Sequence, residues 1–187
     1  MGKSIGVKVE HYINSSGLKE MIEGTKIARY FREIYACSFM YSVDDVAEWP
    51  AVAVDFTTKT QFLFMINKGI KQISQNAQVN EYKPEEDRPI PFSHMIYFGD
   101  GETDIPCMKL VKQQGGYSFA VYKPMDKKKK MNAEKLVNEG RVNFVCKADY
   151  SEGGEIYKIV EAIIRRIKSN YDFKMMEKNN HRKIKKS

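Results

Sequence analysis

The sequence predicts an α/β fold built on a mostly parallel sheet. Three observations carry that prediction. Short apolar strand patterns alternate along the chain with helical patterns, as in βαβ units. The last helical pattern, residues 155–167, sets Ile156, Ile159, Val160, Ile163, Ile164 and Ile167 on one side, a stripe that needs another layer to cover it. With 187 residues, 42% of them apolar, the chain can fill the core of one domain.

Residues 5–13 alternate or cluster apolar groups (Ile5, Val7, Val9, Tyr12, Ile13) and end in Asn14-Ser15-Ser16-Gly17, after which Leu18, Met21, Ile22 and Ile27 recur at helical spacing. This reads as strand, polar turn, helix. Residues 34–41 read as a second strand, Asp44-Asp45 as a turn, and residues 46–56, where Val52, Val54 and Phe56 alternate, as the return arm of a hairpin. Trp49 and Pro50 lie on that arm, and Pro50 cannot donate to a ladder, so the arm is expected at a sheet edge. Thr58-Lys59-Thr60-Gln61 matches a capping box, which predicts a helix with Phe62, Leu63, Met65 and Ile66 inward and Gly69 closing it. Residues 74–91, with Pro84, Pro89 and Pro91, read as a long polar surface loop. Beyond it follow a strand at 95–98, a helix at 105–111 and a strand at 117–122. A connection with four consecutive lysines, a helix at 132–139, a strand at 143–146 and the amphipathic last helix complete the pattern.

No stretch approaches the roughly 20 consecutive apolar residues of a membrane-spanning helix, and the first residues run into a strand pattern in place of a secretory signal. The expectation is a cytoplasmic protein with no membrane partner. Cys37, Cys107 and Cys146 lack the close pairing of a zinc site and read as reduced thiols. Of the net charge of +7, five units lie in residues 174–187, which hold six Lys or Arg and one Glu. Without interleaved aromatics this tail reads as a solvated, frayed terminus, and nucleic acid is not expected as a partner. The chain thus divides into a core at 5–170 and a basic tail at 171–187.

The most informative stretch runs from His94 to Met108. An apolar strand delivers Asp100 to its carboxyl end between Gly99 and Gly101, and Asp104 follows before the next helix. In parallel sheets ligands bind beyond the carboxyl ends of the strands, and two carboxylates there suit a hard cation such as Mg²⁺, which takes oxygen ligands. The simpler alternative makes Asp100 a turn former and Asp104 the N-cap of the helix that contains Pro106.

The whole string, Gly99-Asp100-Gly101-Glu102-Thr103-Asp104-Ile105-Pro106-x-Met108 before Lys112-x-x-Gly115-Gly116, resembles the fourth motif of the haloacid-dehalogenase-like (HAD) hydrolase superfamily. It is most similar to the branch that includes phosphoserine phosphatase-like enzymes, and the resemblance extends over about residues 7–168. It implies a Rossmann-like three-layer α/β/α core and Mg²⁺-dependent hydrolysis of a small phosphomonoester through an aspartyl-phosphate. Asp100 would ligate the metal directly and Asp104 directly or through a ligand. The family's second motif is a Ser or Thr at a strand end that donates to the phosphoryl group; Ser15 occupies that place, with Ser16 and Gly17 continuing the turn toward helix amides that bind anions. The third motif is a Lys, for which Lys59 and Lys68 compete. Lys68 falls in a last helical turn, where a cation suits the negative helix end without further purpose, whereas Lys59 sits in a first turn, where the macrodipole disfavours it by ~0.3–1 kcal/mol. The assignment is therefore Lys59.

The family's first motif, Asp-x-Asp-x-(Thr or Val), supplies the nucleophile and the general acid and base, and this sequence does not contain it. Asp44-Asp45 lies in a predicted turn. Asp55-Phe56-Thr57-Thr58 lacks the second Asp and follows the second motif instead of preceding it. The expectation is an incomplete core without the central first strand and the cap, carrying a hairpin insertion near 37–56, and a phosphatase domain unable to turn over alone. Mg²⁺ would bind weakly, and a separate upstream polypeptide could supply the missing strand. A different class also fits the sequence: a non-catalytic binding protein that keeps the HAD-like fold.

Overall fold

Two three-stranded sheets, in place of one continuous sheet, organise the chain in its computed structural model, which describes residues 2–71 and 73–184. The first sheet has the order β1-β2-β3, with β1 (His11–Leu18) parallel to β2 (Phe31–Tyr41) and β2 antiparallel to β3 (Ala47–Val52). The second is all parallel: β4 (Ile96–Gly99), β5 (Tyr117–Tyr122) and β6 (Phe144–Lys147), with β5 in the middle. The fold is therefore mixed α/β, with parallel pairing everywhere except in the β2–β3 hairpin.

The first strand departs from the sequence pattern. Residues Gly2–Ile5 form a 3-10 turn and the strand begins only at His11, so that Ser15, Ser16 and Gly17 lie inside β1 and not in a turn beyond it. β2 offers a parallel partner as far as Cys37, and the polar segment is accommodated as an irregularity in the register between Asn14 and Leu18. The helix expected after it shrinks to α1 (Lys19–Glu23), none of whose residues is buried, so no packing sustains further turns. The hairpin turns at Asp45, which has a φ of 59°, while the Ser42 hydroxyl accepts from the Asp44 and Val46 amides. β3 lies at the edge, with Pro50 opposite Phe39.

The expected capping box is also displaced. Helix α2 (Phe56–Lys68) starts before Thr58, because the Asp55 carboxylate accepts from the Thr57 and Thr58 amides and from both hydroxyls. Gly69 ends it with a φ of 76°, a left-handed turn that a side chain would disfavour. The loop expected at 74–91 holds 3-10 turns at Ile73–Asn80 and Glu85–Asp87. Helix α3 (Ile105–Gln113) follows β4. Helix α4 (Lys127–Asn138) begins earlier than the sequence suggested, since Asp126 caps the Lys129 amide and the lysine run forms the first turn. Helix α5 (Glu155–Ile184) continues well past residue 167, so the described part of the basic tail is helical and not frayed; residues 185–187 lie outside the described residues.

Period-two alternation in β5 dresses both faces of the second sheet. Ala120 and Tyr122 face the cluster of Phe62, Met65, Met108 and Val111 from α2 and α3, whereas Phe119 and Val121 face Ile156 and Ile163 of α5. The first cluster reaches the other sheet as well, where Tyr35 of β2 stacks on Phe62 at 4.8 Å between centroids. Among the described residues no strand pairs with the outer edge of β1 or of β4. Helices and side chains, and no ladder, hold the two sheets together.

Phe119 is fully buried and its ring lies 4.6 Å from that of Phe98 and 4.8 Å from that of Phe144. Phe119→Ala is expected to destabilise the fold by about 3–5 kcal/mol in urea unfolding. The Asp55 carboxyl is held down to about 2, chiefly by the Thr58 amide and then by the Thr57 and Thr58 hydroxyls. A carboxyl lowered on folding stabilises above its unfolded value and loses that contribution as pH falls through the folded one. The advantage of the wild type over Asp55→Asn, which caps but does not titrate, should therefore shrink between about pH 4 and about pH 2, read as the difference in urea midpoints.

Candidate functional site

The carboxyl end of β4 is built for close approach. A Cβ on Gly99 would stand 2.5 Å from the Asp104 Cβ and 3.1 Å from the Met108 sulfur, so only glycine lets the Gly99–Asp104 loop fold back on its strand. The chain then makes a 3-10 turn, Glu102–Asp104, and enters α3 with Pro106 in its first turn. Asp104 makes no side-chain cap bond to α3, so the simple capping role does not describe its carboxylate.

That carboxylate faces inward. Its Oδ1 receives Lys59 Nζ at 2.7 Å and the Tyr97 hydroxyl at 2.8 Å, and its Oδ2 accepts from the Asp100 amide at 3.3 Å. Lys59 and Asp104 are only 4% and 7% exposed, so this is an ion pair almost out of water. Lys59 Nζ also donates to the Thr103 hydroxyl at 3.2 Å, which leaves little of either charge uncompensated. Lys59 lies in the first turn of α2, and its backbone carbonyl accepts from Asn14 Nδ2 at 2.9 Å. One residue thus ties β1 through its main chain and the β4 loop through its side chain.

The other predicted residues stand apart from this pair. The Asp100 side chain is 64% exposed, and its carboxylate is 3.6 Å from Lys129 Nζ in the first turn of α4. Only its backbone reaches Asp104. The Ser15 hydroxyl accepts from the Gly17 amide at 3.0 Å, a local turn on the surface, and the Ser16 carbonyl accepts from the Cys37 thiol. Among the described residues no hydrogen bond links Ser15, Ser16 or Gly17 to Lys59 or Asp104. Lys68, the competitor of Lys59, donates from Nζ to the carbonyls of Val79, at 2.5 Å, and Glu81, and so pins the loop after α2.

Three residues at the site escaped the sequence reading. Tyr97 is buried, and burial first, then Cys107 and the Asp104 carboxylate, push its phenol far above the ordinary value; it is a neutral donor to Asp104. Cys107, fully buried on α3, has its thiol pushed up to about 11 by burial, so it is a thiol and not a thiolate nucleophile. Asn14 Nδ2 faces the Cys107 sulfur at 4.0 Å, and Asn14 Oδ1 is buried with no hydrogen-bond partner. The period of two along β4 points Tyr97 to the same side as Gly99, and that spacing is the signal by which it could have been found. Among the described residues no group of three or more His, Cys, Asp or Glu side chains is placed to hold a metal ion.

This chain is 32% identical to an uncharacterized protein of Borreliella burgdorferi over an alignment 174 residues long that spans 83% of the chain and 58% of that protein. The chain therefore spans less than two thirds of the length of that relative. No protein-family model matches the sequence, and no solved structure matches the fold.

Breaking a buried pair strands the other charge, at about 3–5 kcal/mol. Lys59→Met and Asp104→Leu are each expected to lower stability by that amount in urea unfolding. The double variant should be more stable than either single one, because it buries no lone charge. A double variant that simply added the two losses would show that the pair is not the unit described.

Proposed function

We propose that this chain is part of an HAD-like phosphomonoester hydrolase, with Lys59 and Asp104 as the charge-balancing pair behind its phosphate site. The observation that carries the reading is the 2.7 Å buried contact between Lys59, at the start of α2, and Asp104, in the turn just beyond the carboxyl end of the parallel strand β4. A structural ion pair has no need to lie at that edge. The Gly99–Asp104 string in the same loop is the motif that resembles the family.

In this reading Asp100 presents an exposed carboxylate at the mouth, and Asp104 is fixed behind it by Lys59 and Tyr97. The donors fit a hard cation in kind, being carboxylate oxygens, but fall short in number, since Lys59 already neutralises one of the two. Asp100 would hold Mg²⁺ weakly, and the ion, when bound, would shield phosphoryl charge. Ser15, Ser16 and Gly17 would reach the phosphate only after the β1 irregularity rearranges, because the Ser15 hydroxyl is engaged in its own turn.

The sequence has no Asp-x-Asp pair, so no residue described here serves as the family's nucleophile. The unpaired edges of β1 and β4 suit a strand carrying that motif between them, from a second polypeptide or from further chain of a longer protein. Such a strand would also bring polar groups to the orphaned Asn14 Oδ1. The substrate in this reading is a small phosphorylated compound.

One observation favours the second reading, an interaction protein without catalysis. The hairpin carries Met40, Val43, Val46 and Trp49 exposed together, an apolar surface of the sort that marks protein contacts. No described helix is long and apolar enough to cross a membrane.

The test is complementation. The chain alone, with Mg²⁺, is expected not to hydrolyse p-nitrophenyl phosphate, and a peptide made as an apolar strand ending in Asp-x-Asp-x-Thr is expected to restore turnover that Asp100→Asn abolishes. Turnover by the chain alone would overturn the incompleteness, and failure of every such peptide with a folded chain would favour the interaction reading. Calorimetric titration of the chain with Mg²⁺ should give a millimolar or weaker constant, ~4 kcal/mol or less. A low-micromolar constant would reveal a full ligand set.

A further inference from the structure

A run of lysines lies beside the candidate site. Asp104 is neutralised by Lys59, and Asp126 is taken up capping the Lys129 amide. The loop after β5 and the first turn of α4 carry Lys123 and four consecutive lysines, 127–130, all exposed, of which Lys130 pairs with Glu134 at 3.5 Å. One of them is aimed: Lys129 Nζ lies 3.6 Å from Asp100 Oδ2 and joins α4 to the β4 loop. The loop that delivers it turns through Met125, a non-glycine residue at a φ of 70° whose side chain is fully exposed. A left-handed non-glycine backbone is strained and persists where the surroundings hold it. Tyr150, on the loop after β6, comes up beside the same carboxylate and rests its ring edge-on against Phe98 at 5.8 Å.

We propose that Lys129 is a specificity-determining residue that binds a second anionic group on the substrate, leaving Asp100 as it does so, and that the site therefore takes small phosphorylated compounds bearing a further phosphate or carboxylate. The inference rests on the phosphate-site reading above. Three features of the chemistry at Lys129 support it. An exposed lysine–carboxylate contact at 3.6 Å is worth little in water and exchanges readily. A phosphate or carboxylate on the ligand offers the ammonium a stronger, charge-assisted bond. The neighbours Lys127 and Lys128, unpaired among the described residues, lie on the same helix turn and attract multiply charged anions toward that residue.

Inorganic phosphate and pyrophosphate serve as probes with one and two anionic groups. They are titrated into the full chain without divalent cation at fixed ionic strength, and the amide signals of residues 99–104 are followed by NMR. The wild type is expected to bind pyrophosphate about tenfold more tightly than phosphate, the gain of one charge-assisted contact. Lys129→Gln should bring that ratio close to one while phosphate binding holds, and Lys128→Gln, with the same loss of charge, should leave it in place. An unchanged ratio in Lys129→Gln, or an equal fall in Lys128→Gln, would overturn the role of Lys129 and leave the phosphate site standing. Failure of phosphate to move the 99–104 amides would overturn the site itself and this inference with it.

Discussion

The buried pair of Lys59 and Asp104 is the interaction on which the arrangement of this chain depends. Neither charge could be buried alone, and the two are compensated only because α2 starts where β4 ends. Around them Tyr97, Thr103 and the Asp100 amide use the remaining lone pairs and protons. The Lys59 carbonyl extends the same node to β1 through Asn14. Two sheets that share no hydrogen-bonded ladder are joined at this residue and by the apolar cluster beneath it.

In the proposed reading the pair is more than a clamp because of where it sits. An ion pair placed for stability alone fits anywhere in a core, and an apolar pair of similar volume would serve as well or better. Here it lies at the carboxyl edge of a parallel sheet, below an exposed carboxylate and beside a cationic helix turn. Lys59 fixes the charge and orientation of Asp104, and Asp104 in turn holds the Asp100 amide, so the exposed carboxylate inherits its position from the buried one.

Among the described residues the outer edges of β1 and β4 have no strand partner. Buried polar atoms usually find partners, yet Asn14 Oδ1, on β1, has none. Elsewhere the exposed edge β3 is protected by Pro50, which offers no donor there. The hairpin beside it exposes Trp49 and Val43, so the first sheet presents apolar surface where the second is covered by α5.

Most strands and helices were legible from local pattern. Apolar runs at 95–98 and 117–122 become β4 and β5, and the isoleucine stripe of α5 faces the sheet as its spacing requires. Boundaries shifted wherever a polar side chain had two possible partners. Asp55 outcompetes Thr58 as the cap of α2 because its carboxylate takes two amides and two hydroxyls together. Ser15, Ser16 and Gly17 read as a turn because their local preference is for one, and pairing with β2 carries them into a strand. At the site, helix polarity separates Lys59 from Lys68 in the sequence, and residue spacing alone brings Asp100 and Asp104 to one loop. Burial of Lys59 against Asp104, the donation of Tyr97, and the separation of Asp100 from its neighbour were decided only by the tertiary structure. Each depends on groups 7 to 45 residues apart meeting in a low-dielectric interior, and no local propensity encodes such a meeting.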